Sequence, residues 1–156
     1  MIKIKSFRQT SGYCGPASLK MVLGYYGVNK SESALAKLSG ATRSRGVDAK
    51  NLLRVSVKLG FKGRVKDYAS INDIKRYVKR DIPVIVNWFS HDDGHYSVAV
   101  GLDRRYIYLQ DPEIGKIRKL NLEVFKRVWF DFSGKFLSYR KNPIIRRLIV
   151  IEKKRR

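Results

Sequence analysis

The chain predicts an α+β fold, with an N-terminal helical half packed on a mostly antiparallel sheet. Two observations carry this. Up to about Arg80 the apolar residues recur at helical spacing between recognisable caps, whereas from Pro83 onward they gather in short β-branched and aromatic runs separated by turn sequences. A chain of 156 residues, 44% of them hydrophobic, can bury one core. One domain over residues 1–152 is therefore expected, followed by a basic tail, 153–156, without fixed structure.

The elements follow in order. Ile2–Phe7 alternates apolar and basic residues, as a strand does, and Gln9–Tyr13 is a polar turn. A helix begins at or just after Cys14, because Pro16 fits a first turn, where its missing N–H is no loss. Ala17, Met21 and Tyr25 then fall on one face, and Gly24 and Gly27 mark the end. Ser31 caps a second helix through Leu38. After the TRSRG loop, Asp48 caps a third, with Leu52, Val55 and Leu59 on one face and Gly60 as its stop. Ser70 and Asp73 have the spacing of a reciprocal cap, and Ile74, Tyr77 and Val78 form the stripe of a helix ending near Arg80. The period then changes. Pro83–Phe89 and Tyr96–Leu102 read as buried strands around an HDDG turn, and Tyr106–Gln110 and Lys116–Leu120 flank a DPEIG turn. Asn121 caps a short helix through Val128, and Phe136–Tyr139 and Leu148–Ile151 are further strands.

Composition narrows the functional classes. A single cysteine forms no internal disulfide, no apolar run reaches the roughly 18 residues of a membrane helix, and the N-terminus lacks the apolar segment of a secretory signal. A cytoplasmic protein is the expectation. The 34 Lys and Arg against 13 Asp and Glu give a net charge of +21, which directs attention to an anionic partner, a nucleic acid or a membrane surface. The basic residues are scattered from Arg43 to Arg156, so a solvated basic surface explains the same numbers. No GxxxxGK loop is present to cradle phosphates. His91, Asp92, Asp93 and His95 crowd one turn but do not match a helical zinc site, so neither a metal nor another cofactor is expected.

The residues that can carry chemistry are few. Cys14 is displayed at the mouth of a helix, and a thiol is activated by a helix N-terminus and a nearby imidazole. A lone cysteine is otherwise a small buried hydrophobe, so its reading depends on partners. His95 follows Gly94 at the start of a strand and can act as base and then acid, a role for which His91, inside the turn, is less well placed. Asp111 ends the next strand of the hairpin, so a tight return brings it beside His95 as the group that orients the ring. Asp-Pro also simply initiates turns. Gln9, five residues before Cys14, can direct its amide at the oxyanion of a carbonyl under attack, with the Cys14 N–H as second donor.

These segments together resemble a family. Gln9, CGPASLKMVL from Cys14, Tyr25-Tyr26-Gly27, TRSRG, AKNLLRVSVKLGF, DIPVIVNWF, GHYSVAVGL and QDPEIGK are similar, in that order, to the bacteriocin-processing peptidases, which remove leader peptides after a double glycine. The resemblance runs from about Gln9 to Trp129. It implies a papain-like cysteine peptidase fold with Cys14 as nucleophile, His95 as general base and acid, Asp111 as orienter and Gln9 as oxyanion donor, acting on a peptide or protein substrate without a cofactor. The chain departs from the family pattern at Tyr13, where an acidic residue is usual, and in the short spacing from Gln9 to Cys14. No exporter segments follow, so a standalone domain is expected. The rival reading is a peptidase-like module that binds a peptide or an acidic partner without turnover.

Overall fold

The computed structural model describes residues 1–155. Three helices come first, α1 (Cys14–Tyr25), α2 (Glu32–Ser39) and α3 (Ala49–Lys58), followed by β1 (Phe61–Lys66) and α4 (Ile71–Val78). Then come β2 (Val84–Ser90), β3 (Asp93–Leu102), β4 (Tyr106–Asp111), β5 (Lys116–Asn121), α5 (Leu122–Val128), β6 (Phe130–Asp131), β7 (Ile144–Ile145) and β8 (Arg147–Lys153). Six strands form one antiparallel sheet in the order β1-β8-β2-β3-β4-β5, and β6 and β7 make a separate ribbon.

Helices cover both faces of the sheet. Leu19, Val22, Leu23, Leu52 and Val55 of α1 and α3 pack on Ile85, Val98, Val100, Ile149 and Ile151. On the opposite face Ile74 and Tyr77 of α4 and Phe125 of α5, with Trp129, pack on Val84, Val86, Ala99, Leu148 and Val150. The central strands are therefore apolar at successive positions, alternate residues of each strand feeding opposite cores. α1 is buried well beyond a single stripe, from Gly15 to Leu19 and from Met21 to Leu23, because it lies between α2, α3 and β3.

The caps form as their side chains dictate. Ser31 accepts from the Ala34 N–H (3.1 Å), Asp48 from Lys50, and Asn121 from Glu123. Ser70 and Asp73 make a full capping box.

Several expectations are corrected. Ile2–Phe7 is not a strand: Ile2 donates one backbone bond to Val100 (2.8 Å), and its apolar residues reach the core without building a ladder. Phe136–Tyr139 is likewise no strand but part of the β6–β7 loop, where no neighbouring strand offers it a ladder. In the other direction, Phe61–Lys66 forms β1, a strand not expected from the sequence although Lys62, Arg64 and Lys66 alternate with Phe61, Gly63 and Val65. It is an edge strand paired only with β8, so Lys62 and Arg64 can face water, and such charges protect a sheet edge. β3 begins at Asp93, so His95 is its third residue instead of marking its start. β8 runs through Lys153, which pairs with Phe61, so the tail begins one residue later than expected, and Arg156 lies outside the described residues.

Candidate active site

The site is assembled where the N-terminus of α1 meets β3 and the end of β4. The turn that enters α1 is fixed on several sides: Tyr13 donates to Thr10 O (2.9 Å), Thr10 N–H to Glu32 Oε2 (2.9 Å), and Arg43 Nε to Ser11 O (3.2 Å). Gly12 has φ +87°, and any Cβ there would overlap the backbone of Arg43. Only glycine lets the turn and the TRSRG loop approach so closely. The loop is itself closed by reciprocal Thr42 and Gly46 backbone bonds. Val47 then packs on Gly15, and the Tyr96 hydroxyl donates to Val47 O (3.0 Å), joining loop, helix and β3.

Cys14 is thereby held at the first position of α1, half-buried, with Pro16 in the first turn as its chemistry requires. No side chain caps this end and no acidic residue occupies its first turn, so the helix N–H groups remain open to a developing negative charge.

His95 is buried, 7% exposed, and its Nε2 lies 2.6 Å from Asp111 Oδ1. That contact leaves Nδ1 as the ring nitrogen available to the Cys14 side chain, and the thiol is among the groups that raise the pKa of this imidazole. The Trp88 ring meets His95 edge-on at 5.8 Å and is itself fixed by its N–H donating to Ser97 Oγ (3.1 Å). Burial alone pulls the imidazole toward its neutral form. The hydrogen bonds and charges of Asp111 and Cys14 outweigh it, and the His95 pKa is pushed up to about 9.

Asp111 is wholly buried and carries no exposed oxygen. Oδ1 also accepts from the Glu113 N–H (3.0 Å), and Oδ2 accepts from Arg118 Nε (2.6 Å). Burial disfavours its charge, but the contacts of His95, Arg118 and the Glu113 N–H hold the carboxyl below its ordinary range. Arg118 is a member of the site that the sequence reading missed. It stacks over Trp88 at 5.9 Å and reaches Glu113 Oε2 at 3.5 Å. The hairpin pairs Asp111 with Lys116, which sets Arg118 diagonally across from Asp111. Only that register distinguishes Arg118 from the other basic residues of the chain.

Gln9 is tied to the same loop by its N–H donating to Pro112 O (2.8 Å). Its Oε1 is buried without a hydrogen-bond partner. Another missed residue is Asp131, whose carboxyl lies so close over Gly94 that a Cβ there would overlap it. Burial raises the Asp131 pKa.

His91 sits at the tip of the β2–β3 hairpin with φ 55°, exposed and apart from these groups. The HDDGH segment does not gather as a ligand set. Among the described residues, the side chains that do converge are those of His95, Asp111 and Glu113, whose ligand atoms lie within 4.8 Å of one another. Both of those carboxylates already engage Arg118, whose guanidinium stands where a cation would bind.

Trp129 stacks on Phe125 in the core at 5.1 Å and takes no part in the site. No helix among the described residues is long and apolar enough to cross a membrane.

The chain has counterparts among known proteins. The sequence pattern of the peptidase C39 family matches residues 3–143. An uncharacterised protein of Methanothermobacter marburgensis is 35% identical over 131 residues, 83% of this chain and 84% of that one. A lactococcin transport/processing ATP-binding protein, LcnC-like, of Lactococcus lactis is 32% identical over 123 residues, 77% of this chain but only 17% of that protein. The crystal structure of a double glycine motif protease from an AMS/PCAT transporter, in complex with its leader peptide, superposes with a TM-score of 0.73 at 23% identity, covering 98% of this chain and 94% of that one. The shared fold is that of the papain-like peptidase domains, as the order of motifs implied.

Proposed function

Since the chain belongs to the peptidase C39 family, we propose that it is a cysteine peptidase that hydrolyses a peptide bond through Cys14, His95 and Asp111. The observation that carries this reading is one buried imidazole engaged by a carboxylate at 2.6 Å through Nε2, with the single thiol of the chain held at the start of α1, which packs on the same strand β3. In the proposed reaction Cys14 first gives its thiol proton to His95, and the thiolate sulfur then attacks the scissile carbonyl carbon. The oxyanion is met by the Cys14 N–H at the uncapped end of α1 and by the Gln9 side-chain amide. His95, held protonated by Asp111, passes its proton to the departing amine, and the acyl group remains on Cys14 as a thioester. Water then gives up a proton to His95 as it attacks the thioester, and the acid product leaves. Arg118 takes no proton in this scheme; it fixes the carboxylate that orients the ring.

The substrate class we assign is a precursor peptide whose leader is removed. It is supported by the family and by the processing role named for the Lactococcus relative. The test is chemical and direct. Iodoacetamide should label Cys14 rapidly at neutral pH, about a hundredfold more slowly after His95→Ala, and a Cys14→Ala variant should retain uncut peptides identifiable by mass spectrometry. Ordinary slow thiol labelling, unchanged by His95→Ala, would sink the catalytic reading. Captured peptides that the wild-type protein also leaves intact would identify a binding module without turnover.

A further inference from the structure

The loop joining β6 to β7, residues 132–143, has a fixed base and a bare apolar tip. At its base Phe132 stacks on Phe89 (5.3 Å), and the preceding Asp131 lies over Gly94, so the loop leaves the body of the protein at the β2–β3 hairpin. Beyond Gly134, Phe136 is 75% exposed, Leu137 61% and Tyr139 93%. Lys135 precedes them and Arg140 and Lys141 follow, and residues 132–143 contain no carboxylate. The cations accompany the rings: Lys135 Nζ lies 5.6 Å from the Phe136 centroid and the Arg140 guanidinium 5.7 Å from that of Tyr139.

Three large apolar side chains within four residues are unusual on a protein surface and mark a contact site. We propose that this loop docks the protein on an anionic lipid bilayer, with Phe136, Leu137 and Tyr139 entering the interfacial region and Lys135, Arg140 and Lys141 meeting the lipid phosphates. Aromatic rings with a polar tip favour that depth, and basic residues beside them add attraction to anionic headgroups. The net charge of +21 acts in the same direction at longer range. A nucleic acid fits less well, because Leu137 offers no flat face to a base. A folded protein partner fits less well too, since side chains this exposed have no walls around them to shape a groove, and a bilayer needs no complementary shape. The inference is independent of the peptidase chemistry and concerns where the protein works.

The experiment is sedimentation of the full chain with vesicles of phosphatidylcholine alone or with about a third phosphatidylglycerol. At low salt the protein should bind the anionic vesicles and not the neutral ones. The combined substitution Phe136→Ser, Leu137→Ser, Tyr139→Ser should weaken that binding by about tenfold or more. A charge control, Lys37→Gln with Lys58→Gln on α2 and α3, should stay within about twofold of wild type. Circular dichroism and the Cys14 labelling rate establish that the triple variant is folded. A Phe136→Trp variant gives a second readout that needs no loss of function, because its emission should shift to the blue on adding anionic vesicles, whereas Trp88 and Trp129 are already buried. The proposal falls if the wild-type protein ignores anionic vesicles, if the triple variant binds them as well as wild type does, or if the triple substitution abolishes binding of a single-stranded oligonucleotide and leaves vesicle binding intact.

Discussion

The contacts of Asp111 show how much of this site is decided by single atoms. A buried carboxylate without partners would protonate, and a protonated Asp111 could not hold the imidazolium of His95. Here Oδ1 faces His95 and the Glu113 N–H while Oδ2 faces Arg118, so both oxygens are occupied and the ring has one direction in which to point. Arg118→Met preserves much of the stem that covers Trp88 but leaves Oδ2 buried and unpaired. We expect a loss of about 1–3 kcal/mol in urea unfolding, the usual penalty for an orphaned buried acceptor, together with slower alkylation of Cys14. Unchanged stability would mean that water replaces the guanidinium. Cys14, His95 and Asp111 were legible in the sequence as residue types next to turns and helix ends. Arg118 was not, because one arginine in a chain with 34 basic residues carries no signal until a hairpin register places it.

At the scale of elements, the position of the thiol depends on how the turn before α1 is braced. Gly12 lies against the backbone of Arg43, Val47 lies on Gly15, and Tyr96 ties Val47 to β3. Gly12→Ala meets a positive φ and a backbone neighbour that cannot rotate away. The expected loss is about 2–4 kcal/mol by thermal or urea unfolding, with Cys14 labelling slowed in the residual folded fraction as α1 shifts from the site. Wild-type stability together with wild-type labelling would show that the turn can relax without moving the cysteine. The helices were readable in advance because their caps are local: Ser31, Asp48, Ser70 and Asn121 each bond a backbone group two or three residues away. Strands depend on partners distant in sequence. Ile2–Phe7 and Phe61–Lys66 both alternate basic residues with uncharged ones, but only Phe61–Lys66 finds a ladder, with β8. The Phe136–Tyr139 segment has strand-forming residues and nothing to pair with.

For the molecule as a whole, the two ionisable partners at the site set a pH dependence whose sign follows from their shifts. The folded His95 pKa, about 9, lies above its ordinary value of 6.5, so its contribution to stability is complete below about pH 6.5 and is lost as pH rises through 9. Asp111 is shifted the other way, so its contribution is present above its ordinary value of 3.8 and is lost as pH falls through the lowered one. The difference in Tm between wild type and His95→Gln should therefore be largest between about pH 4 and pH 6.5 and should shrink toward pH 9. A difference that is flat across this range would show that His95 is not held as the imidazolium. The sequence by itself determined the helix boundaries, the central buried strands and the short set of residues able to do chemistry, because caps, periodicity and residue type are local properties. Only the tertiary structure decided which of those residues meet. It joined His95 and Asp111 across a hairpin, brought α1 to them, recruited Arg118 and left His91 outside. Those outcomes depend on strand register and on close backbone approach, and both are set by contacts between segments far apart along the chain.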